Sequence, residues 1–379
     1  MEILAPTEEG IERAALALAA GKLVVIPTET VYGLGANAFD TRAVARVFEA
    51  KRRPTFDPLI VHIAELEALD AVAAWPNEVA RALAKAFWPG PLTLILPKRE
   101  RVPGLVTSGL DSVAVRMPAH PVARAIIRLS GVPVAAPSAN PFGYLSPTRA
   151  EHVARMLGDA VDFIVDGGPC EIGVESTVLD VTGERPRILR PGGLPRAAIE
   201  KLCGPVDIID RASGQPTSPG QLESHYAPRS RLDLVEAGGL AAAPIGPDDA
   251  ILFFDEASRR AFQAARKAEP RLGASASAEN SRAPGGTGGT GGGAPSGTGG
   301  TGATGGSGGG VASGHIGGRR GVERVLSPSG DLREAAAALF DLLHELDLAG
   351  VKRIWAERLP AEGLGLAVND RLWKASTKA

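Results

Sequence analysis

Cysteine is nearly absent: Cys170 and Cys203 are the only two in 379 residues, and they share no C-x-x-C spacing. That excludes a disulfide scaffold and a cysteine-based zinc module. The six histidines, His62, His120, His152, His225, His315 and His344, lie far apart, which disfavours a local zinc cluster. No apolar run approaches the roughly 20 residues that a membrane span needs, so no membrane contact is expected. The opening MEILAPTEEG is acidic and lacks a basic n-region, which predicts no signal peptide and a cytoplasmic protein. An excess of one charge is also missing. With 41 Lys and Arg against 43 Asp and Glu, the net charge is −2. This argues against a strongly basic nucleic-acid coat and an acidic tail protein, and leaves room for a local basic cleft. There is no G-x-x-x-x-G-K-S/T, H-E-x-x-H, G-x-S-x-G or EF-hand pattern. An enzyme site in this chain must be assembled from scattered segments.

Hydrophobic residues make up 44% of the chain, enough for real cores, and the length suggests two or three domains. Glycine is abundant but local. Gly285–Gly310 holds 16 of the 47 glycines in 26 residues, with Thr, Ser, Ala and Pro between them. Such a tract cannot bury enough apolar surface to offset its ordering entropy, so 269–320 is expected to be a disordered insertion. Its GGTGGTGGG run formally satisfies G-x-G-x-x-G, but no apolar strand precedes it and no helix follows.

Elsewhere, short apolar strands alternate with amphipathic helices. Helices are expected over 8–20, 41–50, 66–74, 77–87, 121–130 and 148–157, and strands at KLVVIP, LIVHI, LTLIL, SVAVRM, VPVAAP, DFIVD, STVLDV and RILR. The fold class is α/β. A Pro/Gly/Ser-rich bridge, Ser213–Arg231, leads to a second, small βαβ-type unit. That unit is expected to hold the strand ILFF (251–254), a helix over 256–267, a long helix over 332–348, the strand VKRIWA and a last helix over 364–375. The division expected is 1–210, a linker at 211–231, and 232–379.

Four segments carry more polar chemistry than scaffolding needs. PTETVYGLG (27–35) places hydroxyls and Gly33 and Gly35 after a strand, which suits a ligand mouth or an ordinary strand-to-helix turn. KRRPTFDPLIVHI (51–63) follows a helix with three cations. On extended backbone Lys51 and Arg53 would point the same way, as a polyphosphate site needs; a solvated charge run is the commoner reading of such a cluster. Arg116 stands in the apolar strand SVAVRM and needs an anion or a partner. Ser138, Asn140 and Ser146 in VAAPSANPFGYLSPT bring donors and acceptors to a strand end, or form a plain turn before proline. In CEIGVESTVLD with RILRPGG, Glu175, Ser176 and Thr177 open a strand, and Arg190 closes the next one beside flexible glycines.

Taken in order, PTETVYGLG, Lys51-Arg52-Arg53 with PLIVHI, SVAVRMP, Ser138-Ala139-Asn140 and VESTVLD with ILRPG resemble the YrdC-like threonylcarbamoyl-AMP synthases. The likeness runs through about residues 8–202. TSPGQLESHYAP (217–228) is similar to the linker of the longer, two-domain members, and EGLGLAVNDRLWKAS fits their second domain. The resemblance implies a twisted mixed sheet with a concave ligand cleft, plus a small Rossmann-like C-terminal domain. It implies that L-threonine, bicarbonate and ATP, with Mg²⁺ on the phosphates, give L-threonylcarbamoyladenylate and pyrophosphate. The product would pass to a separate tRNA threonylcarbamoyl-transferase complex, for modification of the adenosine next to the anticodon. By matching position, Lys51, Arg53, Ser138 and Asn140 are signature residues. Thr30, His62, Arg116, the Ala136 backbone and Ser176 resemble threonine contacts. Arg53, Asp57, Ser112, Ser138, Ser146, Arg190 and Tyr226 resemble ATP contacts, with Tyr226 on a linker that could close as a lid. No protein-borne metal cluster is implied. Asp57 stands where many relatives carry Asn, and Phe142 where many carry Ser.

Two other readings remain at this point. One is a double-stranded RNA-binding module that holds a duplex by shape, strongly and with a steep salt dependence; a lone Arg116 inside an apolar strand suits a small-anion pocket better than a phosphate track, and a weak tRNA or duplex contact is compatible with the enzyme reading. The other is a module that uses carbamoyl phosphate. On the enzyme reading, deleting Gly285–Gly310 leaves turnover within about a few-fold, because loop closure depends only weakly on length. A steady-state comparison with the full chain checks this, and loss of activity would show the tract to be structural.

Overall fold

In the computed structural model, which describes residues 1–209, 220, 225–268, 315–316 and 319–377, polar caps open several helices. Thr7 Oγ1 accepts from the Gly10 amide and starts α1 (Glu8–Ala19). Asp40 accepts from the amides of Arg42 and Ala43 and starts α2 (Thr41–Lys51); Asn77 does the same through Ala80 for α3 (Glu78–Phe87). These caps satisfy amides that have no intrahelical acceptor. Then come α4 (Gly104–Thr107), α5 (Pro121–Ser130), α6 (Ala150–Leu157) and α7 (Arg196–Cys203). The helix expected over 66–74 is a 3₁₀ segment, Leu66–Ala71, whose N-terminal Glu65 makes no side-chain cap.

Eleven strands form the first sheet: β1 (Glu2–Leu4), β2 (Val24–Ile26), β3 (Gly33–Asn37), β4 (Ile60–His62), β5 (Leu92–Pro97), β6 (Ser112–Arg116), β7 (Val134–Ala135), β8 (Phe163–Val165), β9 (Thr177–Asp180), β10 (Arg187–Arg190) and β11 (Asp207–Ile208). Their order is β1-β8-β2-β3-β7-β4-β6-β5-β9-β10-β11, with parallel and antiparallel pairs mixed. β3 begins inside the segment expected to be a ligand mouth, at Gly33. Gly35 is there for sheet packing: a Cβ would stand 2.9 Å from the Val24 carbonyl oxygen and 2.9 Å from Val134 Cγ1. Gly33 lies beside Ala136 and forms a bridge with Ser138.

The second unit has four parallel strands. β12 (Arg231–Val235) and β13 (Asp249–Asp255) precede a two-residue ladder, β14 (His315–Ile316) with β15 (Arg319–Arg320); β16 (Val322–Ser327) and β17 (Arg353–Glu357) follow. The order is β12-β17-β13-β16, with helices α8 (Glu256–Ala268), α9 (Leu332–Leu348) and α10 (Gly365–Ser376). The two strands visible in the sequence are the central pair, β13 and β17. The two edge strands, RLDLV and VERVLS, were harder to read because charged residues interrupt their apolar ones, as is common at edges. Of the insertion expected over 269–320, residues 269–314 and 317–318, with all of Gly285–Gly310, lie outside the described residues, and the β14–β15 ladder falls within it. At the carboxyl end of this sheet, where open α/β sheets usually take ligands, Glu357 accepts from the Phe254 and Gly238 amides and fills the gap.

The units share a core. Val31, Leu145 and Val174 of the first pack in one cluster with Leu339, Phe340 and Leu343 of α9. Around it, Arg149 donates two hydrogen bonds to Asp341 at 2.8 and 3.1 Å, and Tyr144 donates to Asp347. No described helix is long and apolar enough to cross a membrane.

Candidate active site

Where β4, β6, β7 and the ends of β9 and β10 converge, they leave a hollow of about 520 Å³ including its open mouth. Register does the assembling. His62 stands opposite Arg116 on the parallel strand β6 and opposite Val134, the first residue of the antiparallel β7, so the carboxyl ends of β4 and β6 lie side by side. Arg53, Arg116 and Arg190 line the hollow and are each 7% exposed or less.

Such burial demands acceptors. Arg116 Nη2 donates to Glu29 Oε1 at 2.6 Å, Nη1 to Thr30 Oγ1 at 2.8 Å, and Nε to the Gly90 carbonyl at 3.2 Å. Burial works to raise the Glu29 carboxyl, but the Arg116 charge and hydrogen bonds hold it below the ordinary range. Beside them, burial and then the Arg116 charge push His62 down to about 3, so its imidazole is neutral at physiological pH. Arg190 donates from Nε and Nη2 to the Ser176 carbonyl, and from Nη2 to Ser176 Oγ at 3.2 Å. Ser176 Oγ also shares a hydrogen bond with Thr93 Oγ1.

Lys51 and Arg53 do not sit on extended backbone. Lys51 is the last residue of α2, and Arg52 turns the chain through a left-handed cap at φ 52°. Lys51 therefore points inward. Its Nζ donates to the Ser138 carbonyl at 2.6 Å and to the Asn140 carbonyl at 2.5 Å. Burial, then the adjacent Arg53 charge, pushes this ammonium well below its ordinary pKa. Lys51 is a strut beneath the Ser138–Asn140 loop, not a lining group. Arg53 faces the hollow, pairs with Asp57 at 2.9 Å, and donates to the carbonyls of Asp57 and Pro58. The Asp57 carboxylate, which alone would repel a phosphate, thus meets an arginine. Burial raises its pKa despite Arg53.

The structure brings Thr30, Arg53, His62, Arg116, Ala136, Ser138, Ser176, Arg190 and Tyr226 to the hollow. Lys51, Asp57, Asn140, Ser146 and Ser112 do not line it. The Ala136 amide is committed to the Ile60 carbonyl. Asn140 Nδ2 donates to the carbonyls of Pro141 and Tyr144. Ser146 Oγ donates to Glu175 Oε1 at 2.5 Å. Ser112 opens β6, roughly 13 Å along the strand from Arg116. Residues the sequence reading passed over are Glu29, His225 and Arg371, together with the site role of Glu175. Glu29 had one signal: Arg116 required a partner. Tyr226, at φ 61°, lines the hollow with His225, and its hydroxyl is pushed up to about 12, mainly by burial. Burial also opposes ionisation of Glu175, but the Arg371 and Arg190 charges outweigh it and hold the carboxyl below its usual range.

Among the described residues no group of three His, Cys, Asp or Glu could hold a metal ion. The chemistry on offer is anion binding by buried guanidiniums, with hydroxyls and a neutral imidazole beside them.

Residues 16–192 match the Sua5/YciO/YrdC family model, described as telomere recombination. Residues 194–377 match the model described as the threonylcarbamoyl-AMP synthase C-terminal domain. The chain is 42% identical to a threonylcarbamoyl-AMP synthase of Pyrococcus abyssi, covering 99% of this chain and 98% of that one. It is 40% identical to one of Bacillus subtilis, covering 98% and 94%. The solved structure of Pyrococcus abyssi Sua5 complexed with L-threonine superposes with a TM-score of 0.78 at 38% identity, over 99% of this chain and 98% of that one.

Replacing Lys51 by Met leaves the buried Asn140 carbonyl without its ammonium donor and removes one of two donors from the Ser138 carbonyl. The expected loss is about 2–4 kcal/mol of stability, read as a lower midpoint in chemical denaturation. An unchanged midpoint would show the strut to be dispensable.

Proposed function

The chain belongs to the threonylcarbamoyl-AMP synthase family, and from that premise we propose how its hollow carries out the synthesis. L-Threonine and bicarbonate form a carbamate with loss of water. A carbamate oxygen then attacks the α-phosphorus of ATP, and pyrophosphate leaves. No protein nucleophile is needed. The barrier lies in bringing anions together, so positioning and charge neutralisation carry the catalysis.

Threonine takes the end of the hollow near Arg116, Thr30, His62, Ala136 and Ser176. Its carboxylate competes with Glu29 for the guanidinium. A site crowded with buried cations favours a carboxylate and disfavours an ammonium, which keeps the attacking amine neutral. The nucleotide takes the end near Arg53, Ser138, Arg190 and Tyr226, with Asp57 holding Arg53 in place. Lys51 and Asn140 support the Ser138 loop. Ser146 acts through Glu175. Ser112 contacts the nucleotide only if ATP extends past the hollow along β6. Mg²⁺ would accompany the ATP phosphates and offset their charge; among the described residues no group of three His, Cys, Asp or Glu could hold it. Tyr226, in the 211–231 linker, covers the nucleotide and excludes water from a labile mixed anhydride. We keep the catalytic unit at 1–210 and the C-terminal unit at 232–379. Release to a separate transferase complex acting on tRNA belongs to the same proposal.

The observation that supports this most is the convergence of Arg53, Arg116 and Arg190 from three distant segments on one hollow. Guanidiniums buried this deeply do not offer duplex RNA a surface track. The test is incubation with ATP, L-threonine, bicarbonate and Mg²⁺, followed by pyrophosphate release and mass detection of the anhydride. Pyrophosphate and anhydride are expected only when threonine is present. Carbamoyl phosphate replacing bicarbonate and threonine would overturn the reading. Arg116→Ala is expected to raise the threonine KM roughly tenfold or more, with a smaller change for ATP. An unchanged threonine KM would remove the clamp.

A further inference from the structure

A carboxylate in a cavity that takes a triphosphate is a liability, and Glu175 is such a group: it lines the hollow and is 5% exposed. What holds it comes from the other unit. Arg371, on α10, has a completely buried side chain, and its Nε donates to Glu175 Oε2 at 2.8 Å. Arg371 Nη1 donates to the Pro191 carbonyl at 2.9 Å and to Asp370 at 2.5 Å. The guanidinium carbon lies 5.0 Å from the centroid of the Tyr226 ring. The other Glu175 oxygen, Oε1, is occupied by Ser146. One turn on, Lys374 Nζ donates to the Gly220 carbonyl at 2.7 Å, and Gly220 also lines the hollow. One face of α10 thus reaches the back of the cavity and touches Glu175, Tyr226 and the linker together.

We propose that Arg371 is a positioning residue for the adenylation step: it neutralises Glu175 from behind, holds that carboxylate turned from the incoming phosphates, and fixes Tyr226 over the nucleotide. The C-terminal unit then completes the ATP end of the site while leaving the threonine end alone. This rests on the assignment of the hollow to ATP and threonine in the preceding subsection.

The test is a double-mutant cycle in the full chain: Arg371→Met, Glu175→Gln, and both, with kcat and both KM values measured for each. Arg371→Met is expected to raise the ATP KM at least roughly tenfold, through an uncompensated buried charge, while the threonine KM moves less than about threefold. In the Glu175→Gln background the same change is expected to move the ATP KM less than about threefold. Asp341→Asn loosens the contact between the units away from the hollow and is expected to leave both KM values alone. Equal cost of Arg371→Met in the two backgrounds, a parallel rise in both KM values, or the same ATP defect from Asp341→Asn would each overturn the inference. Should Arg371→Met fail to fold, Arg371→Lys and Arg371→Gln replace it. Lys keeps the charge and is expected to hold the ATP KM nearer wild type than Gln does; equal losses would again overturn it. A wild-type chain without threonine-dependent pyrophosphate release would defeat the functional reading, and this inference with it. An active wild type with an additive cycle would defeat this inference alone.

Discussion

A guanidinium taken out of water must find oxygen acceptors, and three of them are taken out of water around one hollow. That requirement shapes the surroundings. Arg116 draws Glu29, Thr30 and the Gly90 carbonyl to it; Arg53 draws Asp57 and two carbonyls; Arg190 draws Ser176. Each cation is therefore held in a fixed direction before any ligand arrives; on the proposed function, substrate anions exchange for, or add to, acceptors already in place. The same rule places Lys51 below the Ser138–Asn140 loop, where two carbonyls serve it and it serves the loop.

The sheet makes this possible. Strands too short to span a domain end at the hollow, and mixed parallel and antiparallel pairing lets residues distant in sequence share a register row, as His62 and Arg116 do. In the C-terminal sheet the corresponding place at the strand ends is closed by Glu357, which spends both oxygens on backbone amides. On the proposed function the ligand chemistry lies in the first unit, and the second reaches it through α10.

Much of this was legible in the residues. Arg116 was visible because a charge inside an apolar strand is unusual, and the α5 and α9 spans were visible because their periodicity and flanking signals agree. The partner of Arg116 was not, since Glu29 lies 87 residues away and only the tertiary pairing selects it. Lys51 and Arg53 were placed on extended backbone because nothing in K-R-R-P announces a left-handed Arg52. Ser112 shares a strand with Arg116, but strand length separates them. Arg371 reads as an ordinary charged helix residue; its burial arises only when two units meet.

The central claim is that these buried guanidiniums bind the substrate anions. A crystal structure of the full chain with L-threonine and a non-hydrolysable ATP analogue tests it most directly. The account predicts the threonine carboxylate on Arg116 and the triphosphate within hydrogen-bond reach of Arg53 and Arg190, with Tyr226 over the nucleotide. A nucleotide seated at the strand ends of the C-terminal sheet, or on the outer surface with the three arginines still paired only to protein, would contradict it.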